Sequence, residues 1–417
     1  MKAVIIGQGY VGLPLAQAAV GAGISVVGLE SKPETVDALN AGKSHVGDIS
    51  DSALVEMLNS GYGATADVTT IADADVVVIC VPTPLGDQGV PDLTYVTSAA
   101  TQIAENLTAG TLVVLESTTY PGTTEEVVQP ILEQSGLALD TGFHLAFSPE
   151  RIDPGNPTFG LRNTPKVVGG ATPASTRAAA EFYGTFIETV VTTRGTREAE
   201  TAKLLENTYR HVNIALVNEM ARFCHDLGID LWNVIDAAAT KPFGFQAFYP
   251  GPGVGGHCIP IDPNYLSYEV QRKLGYPFRF VELAESINDS MPAYVVDRVQ
   301  DALNDVSKPI KGSSVLLLGV TYKANVKDQR ESPARPIAEL LAAKGARLSY
   351  HDPRVARWTT EIGELESETD LEAAVAAADV VMLLQAHREY DVDALAELAQ
   401  LFFDTRGKST IAKAIRL

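Results

Sequence analysis

The chain has 417 residues, of which 46% are hydrophobic and 20% charged, the composition of a globular protein with roughly two or three domains. Its formal net charge of −20 argues against a nucleic-acid partner, because such partners are held by clustered Lys and Arg. Three cysteines without a Cys-x-x-Cys pair suit neither a disulfide framework nor a zinc site, so no metal is expected and a cytoplasmic location is. Met1-Lys2 leads straight into an apolar strand, so no cleavable signal is expected, and no apolar run nears the roughly 18 residues of a membrane span.

In chain order, an apolar strand at Ala3–Ile6 runs into Gly7-Gln8-Gly9-Tyr10-Val11-Gly12 and then a helical stretch, Leu13–Val20. A Gly-x-Gly-x-x-Gly turn between strand and helix suits a dinucleotide. Gly7 permits the tight turn, Gly9 lets a pyrophosphate approach the backbone beside Tyr10 and Val11, and Gly12 lets the helix lie close on the strand. A second strand, Ile24–Leu29, ends at Glu30. An acid there hydrogen-bonds an adenosine ribose and repels a 2′-phosphate, so NAD is expected over NADP. Apolar runs at Val76–Val81, Leu112–Leu115 and His144–Phe147 continue a doubly wound parallel pattern. They deliver Pro82-Thr83-Pro84, Ser117-Thr118-Thr119 and Ser148-Pro149-Glu150-Arg151 to the edge where open α/β sheets bind ligands. Thr118 is a contact for the nicotinamide ribose or a reacting hydroxyl, or else the cap of the next helix. Glu150 is a general base, or else the ion-pair partner of Arg151.

From about Thr196 the pattern turns helical, and Glu198 through Cys224 contains neither Pro nor Gly. So long a helix is a natural link between two α/β units and a natural dimer contact. On it Lys203 and Asn207 share a face, as do Glu206 and Arg210, which are expected to pair at the surface. Tyr249-Pro-Gly-Pro-Gly-Val-Gly-Gly-His-Cys-Ile-Pro-Ile-Asp262 follows. Its glycines at 251, 253, 255 and 256 are expected to take φ > 0 and let the backbone approach a ligand. Cys258 stands two residues after the last of them, on a loop with no continuous apolar face to bury it. That makes it a nucleophile candidate, provided a neighbour lowers its pKa or takes its proton. Cys80, inside an apolar run, and Cys224, on the helix, read as small buried hydrophobes. Asp262 before Pro263 is helix-cap chemistry, compatible with a second role as a base.

After a linker at Ser307–Gly312 a further α/β pattern begins, with strands at Ser314–Gly319, near Arg347–Tyr350 and at Val380–Leu384. Its first turn lacks the glycine fingerprint and carries Lys323, Lys327 and Arg330 instead, as a decayed repeat that binds phosphate through side chains would. Residues 1–195 hold 8 basic against 21 acidic side chains and residues 196–417 hold 24 against 31, which places a second anionic ligand in the later part. The fold class expected is α/β: two Rossmann-like doubly wound domains, 1–195 and 305–417, joined by a central helical domain, 196–304, with a long spine helix.

Gly-Gln-Gly-Tyr-Val-Gly-Leu-Pro, Val-Pro-Thr-Pro, Ser-Pro-Glu-Arg, Lys-Leu-Leu-Glu-Asn-Thr-Tyr-Arg, Gly-Val-Gly-Gly-His-Cys-Ile-Pro-Ile-Asp-Pro and Arg-Glu-Ser-Pro occur in that order. With them the chain resembles the UDP-glucose/GDP-mannose dehydrogenase family along essentially its whole length. Gly-Gly-His-Cys and Thr-Lys-Pro-Phe-Gly-Phe resemble the branch acting on UDP-N-acetylhexosamines, especially UDP-N-acetylglucosamine. Pro242 stands where UDP-glucose enzymes usually carry a sugar-contacting Arg. The resemblance implies a homodimer or higher oligomer and an NAD-dependent, four-electron oxidation of the sugar C6 alcohol to a uronic acid. Cys258 would hold the thiohemiacetal and thioester, while Lys203 and Asn207 would stabilise oxyanions. Asp262 would act as base, and Glu150 and Thr118 would position or activate water. It further implies cofactor contacts at Pro82, Thr83, Thr118 and Arg330, and substrate contacts at Glu150, Arg151, Phe248, Tyr249, Gly253 and Lys323.

Other sugars of the same class are the mannosamine and galactosamine epimers and UDP-glucose. A one-step hydroxy-acid dehydrogenase would explain Lys203 but leave Cys258 and the second α/β pattern idle. A non-catalytic NAD or nucleotide-sugar sensor would keep the glycines without a reason to keep Cys258, Lys203 and Asp262 together.

Overall fold

A computed structural model describes residues 1–86, 90–153, 156, 158–256, 259 and 261–417. The chain divides into two compact units, Met1–Glu206 with Asn264–Tyr276, and Asn207–Pro263 with Pro277–Leu417.

In the first unit, hydrophobic strands alternate with helices. The strands are β1 (Lys2–Ile6), β2 (Ser25–Leu29), β3 (Tyr62–Thr65), β4 (Val76–Ile79), β5 (Thr111–Leu115), β6 (Phe143–Phe147), β7 (Lys166–Gly170) and β8 (Val190–Thr192). Between them lie α1 (Gly12–Gly21), α2 (Pro33–Asn40), α3 (Asp51–Asn59), α4 (Thr94–Asn106), α5 (Gln129–Leu132) and α6 (Pro173–Tyr183). Among the described residues the strands form one sheet in the order β3-β2-β1-β4-β5-β6-β7-β8. Successive side chains of a strand face opposite ways, and here both directions are buried. Ala3 and Ile5 of β1, with Val76 and Val78 of β4, join one apolar cluster; Val4, Ile6, Val77 and Ile79 join the cluster on the other face. Double burial accounts for the unbroken apolar runs of the sequence. β3, with Tyr62-Gly-Ala-Thr65, and β7, with Lys166-Val-Val-Gly-Gly170, carry too few large apolar residues to be read as core strands. β7 pairs antiparallel with β6, Ala146 opposite Gly170, so the sheet is not wholly parallel.

The second unit repeats the arrangement on a smaller scale. α7 (Thr196–Asp226) is a single 31-residue helix that begins in the first unit and ends in the second. α8 (Leu231–Ala239), capped by Asp230 through the N–H groups of Trp232 and Asn233, packs on it through Val217, Ala221, Cys224, Leu231 and Ile235. α9 (Asp262–Leu274) starts here, and α10 (Arg279–Asp305) leads to the second sheet. That sheet comprises β9 (Ser314–Leu318), β10 (Arg347–His351), β13 (Val380–Leu383), β14 (Phe402–Asp404) and β15 (Ile415–Arg416). Its order is β10-β9-β13-β14-β15, all parallel. α11 (Ala334–Ala343), a hairpin of β11 (Arg357–Thr360) and β12 (Gly363–Glu366), α12 (Leu371–Ala377) and α13 (Val392–Leu398) complete it. Val315 and Leu317 face one cluster and Leu316 and Leu318 the other.

The two sheets share a detailed signature, which makes the second a degenerate repeat of the first. Gly7 and Gly319 both take positive φ, 90° and 77°. The next N–H, of Gln8 or Val320, donates to an acid at the end of the neighbouring strand, Glu30 at 3.2 Å or Asp352 at 2.7 Å. The acids differ in surroundings. Glu30 is half-buried, whereas Asp352 and His387 are both fully buried and paired at 3.1 Å. His387 Nδ1 accepts from the Asn325 N–H at 3.0 Å, so the imidazole fills the second cradle with protein. Burial pushes the Asp352 carboxyl up, but hydrogen bonds from His387 and two backbone N–H groups hold it below its ordinary value.

Leu317, fully buried in the second sheet, tests this packing: Leu317→Ala is expected to cost about 2–5 kcal/mol, measured by urea denaturation, and a loss within error of zero would contradict the doubly covered sheet.

Candidate active site

The glycine turn after β1 has the geometry of a phosphate cradle at a helix start. A Cβ on Gly7 would lie 2.5 Å from the Cys80 carbonyl oxygen, and one on Gly12 only 1.9 Å from that of Gly7, whereas nothing lies within 4 Å of a Cβ on Gly9. Protein packing therefore demands glycine at 7 and 12, whereas at Gly9 no protein atom contests the space beside the backbone, room that a pyrophosphate would fit. Tyr10 is exposed at this turn and Val11 is half-buried. Glu30 is held by the N–H groups of Gln8 and Lys32, and the fully buried Gln8 braces the turn by donating to Ile5 O at 2.7 Å and accepting from Tyr62 at 2.8 Å. Pro82 is exposed and Thr83 buried at the end of β4. The Tyr265 hydroxyl donates to Thr83 O at 2.5 Å, fixing this turn to α9, a contact that no motif announced.

Thr118 is half-buried and six residues short of the next helical stretch, Thr124–Val128, so it does not cap that stretch. Glu200 of α7 does the satisfying instead. Its buried carboxylate accepts from the Gly122 N–H at 2.6 Å and from the N–H and hydroxyl of Thr124 at 2.9 and 2.7 Å. Burial, outweighing these donors, pushes its carboxyl up to about 7.

The Lys203 side chain is 8% exposed and donates from Nζ to Glu150 O at 2.7 Å, so it is not a solvated helix charge. Arg151 bonds to Glu206 at 2.8 Å and to Pro165 O. This corrects two expectations: Arg151 does not pair with Glu150, and Glu206 pairs with Arg151 rather than Arg210. The Glu150 carboxylate faces Lys166 instead, 3.8 Å away.

In the second unit, Asn207 Nδ2 donates to Asp262 Oδ2 at 2.5 Å, both side chains being buried. Asp262 is the first residue of α9. Phe248 meets Tyr209 edge-on, and Tyr249 stacks on Trp232 and donates to Asp236 at 3.0 Å. Lys323 is half-buried, and the exposed Arg330 forks onto Asp328 at 2.6–3.0 Å. Cys258, with His257 and Pro260, lies outside the described residues. The preceding loop departs from expectation. Only Gly253 and Gly256 take positive φ, 136° and 92°, and the close approach is to protein. A Cβ on Gly255 would lie 2.5 Å from Glu331 O and one on Gly256 2.7 Å from the Tyr322 ring, while the Gly256 N–H donates to Arg330 O at 3.0 Å. As far as Gly256 the loop is thus moulded onto the first turn of the second sheet. Among the described residues no group of His, Cys, Asp and Glu is placed to hold a metal ion, and no helix is long and apolar enough to cross a membrane.

Three successive stretches of the chain match the UDP-glucose/GDP-mannose dehydrogenase family: its NAD binding domain over residues 1–187, its central domain over 197–290 and its UDP binding domain over 316–410. The chain belongs to that family. It is an NAD-dependent nucleotide-sugar dehydrogenase. It is 35% identical to the UDP-N-acetyl-D-mannosamine dehydrogenase of Escherichia coli K12 over 403 residues, 93% of this chain and 94% of that one. The UDP-D-ManNAc dehydrogenase of Pyrococcus horikoshii superposes with a TM-score of 0.89 at 31% identity, covering 100% and 98% of the two chains. A UDP-glucose dehydrogenase of Pyrobaculum islandicum gives 0.87 at 27% identity, covering 100% and 96%.

Glu200 generates a pH prediction. A carboxyl raised from an ordinary 4.5 to about 7 keeps its proton in the folded state where the unfolded chain has lost it, so folding stability falls as pH rises through that window, by up to about 3 kcal/mol. Denaturation midpoints of the wild type are expected to decline between these pH values relative to Glu200→Gln; parallel curves would contradict the assignment.

Proposed function

We propose that the enzyme oxidises the C6 alcohol of UDP-N-acetyl-D-mannosamine to the carboxylate in two steps on one site, with Cys258 holding the intermediates. The observation that carries this reading is the buried Asn207–Asp262 pair, whose carboxylate stands four residues beyond the only cysteine of the glycine-rich loop. The names of the relatives favour mannosamine; the glucosamine and galactosamine epimers and UDP-glucose are the alternatives. When bound, NAD supplies the hydride acceptor for both oxidations. Asp262 takes the proton of the C6 hydroxyl in the first oxidation. The Cys258 thiol then adds to the aldehyde carbon to give a thiohemiacetal, and loss of its hydride and hydroxyl proton leaves a thioester. Lys203 uses one donor on Glu150 O and offers its others, with the Asn207 amide, to the developing oxyanions. Glu150 and Thr118 orient a water, and Glu150 takes its proton as the new carbon–oxygen bond forms and the carbon–sulfur bond breaks. One alcohol, one water and two oxidised cofactors become a carboxylate, two reduced cofactors and three protons.

The same proposal assigns the UDP moiety to Phe248, Tyr249, Gly253 and Lys323, a cofactor contact to Arg330, and the functional division to 1–195, 196–304 and 305–417. A homodimer through α7 belongs to it as well. Tyr209, Leu216 and Phe223, spaced by seven residues, are 46%, 53% and 46% exposed, the pattern of a helix stripe that pairs with its copy.

Two NADH per sugar are expected with UDP-N-acetylmannosamine and fewer turnovers with the other three sugars; Cys258→Ala should form no uronic acid. One NADH per sugar, or full turnover without the thiol, would sink the thioester route. Sedimentation velocity should show a dimer for the wild type and a monomer for Leu216→Glu, and a monomeric wild type would remove α7 as an interface.

A further inference from the structure

Three strands of the first sheet bring ionisable groups to one buried point. β5 and β6 run parallel and are followed at their carboxyl ends by Glu116 and, three residues on, Glu150. β7 is antiparallel to β6, so its first residue, Lys166, arrives at that same edge. Lys166 is 3% exposed. Its Nζ lies 3.0 Å from Glu116 Oε2 and 3.8 Å from Glu150 Oε2, and 5.2 Å from the centre of the Tyr183 ring. Tyr183, fully buried on α6, donates its hydroxyl to the other oxygen of Glu116. Glu116 is therefore satisfied on both sides. Glu150 is not: Oε1 accepts from the Ile152 N–H, while Oε2 is buried without a hydrogen-bond partner. The other groups around the cluster are Cys80, a buried thiol beyond β4, and Lys203, whose ammonium rests on Glu150 O. Arg151 is turned away onto Glu206.

Two carboxylates and one ammonium in a buried site carry one net negative charge. The ammonium bonds to Glu116, which leaves that charge on Glu150. We propose that Lys166 is a positioning residue for Glu150: paired with Glu116, its ammonium holds the Glu150 carboxylate in place. The inference rests on the reading of Glu150 as the group that takes a proton from the hydrolytic water. As the water oxygen bonds to the thioester carbon and the carbon–sulfur bond breaks, the proton passes to Glu150 Oε2, and the cluster goes from one negative charge to none. Lys166 stays protonated throughout: burial pulls its ammonium down, but Glu116 and Glu150 outweigh burial and raise it above its ordinary value.

Opposite shifts test the proposal. Lys166→Met leaves two carboxylates facing each other, and the acid limb of the pH profile should move up by about one pH unit or more. Glu116→Gln frees the ammonium for Glu150, and the limb should move down. The double variant should lie between them, and Lys166→Arg should restore the wild-type profile. The profile is that of the single-turnover rate of uronate formation. In parallel, the infrared carboxyl band that disappears in Glu150→Gln reports the titration of Glu150 itself. Should Lys166→Met fail to fold because it strands two buried charges, Glu116→Gln and the double variant carry the test. A Glu150 band that titrates unchanged in Glu116→Gln and in the double variant overturns the proposal. A band that shifts while the rate profile does not upholds the hold of Lys166 on Glu150 and overturns the water-activating reading of Glu150.

Discussion

A parallel strand buried on both faces offers chemistry only its ends, because every side chain along its length is spent on packing. Both sheets of this protein obey that constraint, with alternate residues of β1, β4, β9 and β13 entering separate apolar clusters. The groups that can bind or react are consequently pressed into the turns beyond the strands: the glycine turn after β1, Thr83 after β4, Ser117 and Thr118 after β5, Glu150 after β6. Polar residues displaced from these edges into the sheet would be unsatisfied, and residues drawn back from them could not reach a ligand.

The two units show how one cradle serves in one place and is closed in another. Each has a glycine of positive φ, a following N–H and an acid that receives it. In the first, the acid is half-buried and the turn carries Gly9, where nothing of the protein contests the space. In the second, His387 lies on Asp352 and takes the Asn325 N–H, so a side chain does what a ligand would do. Loss of the glycine fingerprint and gain of a buried imidazole are two sides of one change. Residues 316–410 nonetheless match a UDP binding domain.

The loop before Cys258 is held the same way, by fit rather than by freedom. Glycine at 255 and 256 is required because Tyr322 and the Glu331 carbonyl stand where a Cβ would go. As far as Gly256 the loop is fixed by its bed, which is made of Tyr322 and Glu331, residues well further along the chain. The ion pairs follow a similar rule. Arg151 prefers Glu206 to its neighbour Glu150, because adjacent residues at a strand end point apart while α7 supplies a carboxylate within reach.

Much of this was legible in the sequence. The apolar runs announced the core strands, the Pro- and Gly-free stretch announced α7, and the motif order announced the family, since period, breaker residues and spacing are local properties. Asn207 and Asp262 were both visible as candidates, and the structure joins them. What only the tertiary structure decided is which distant groups meet. Glu116, Glu150 and Lys166 belong to no shared motif, and they converge because β7 runs against its neighbour. Glu200 caps a turn 76 residues before it, and His387 fills a cradle that opens at Gly319. Side-chain periodicity says which way a residue faces, whereas strand direction and packing decide what it faces.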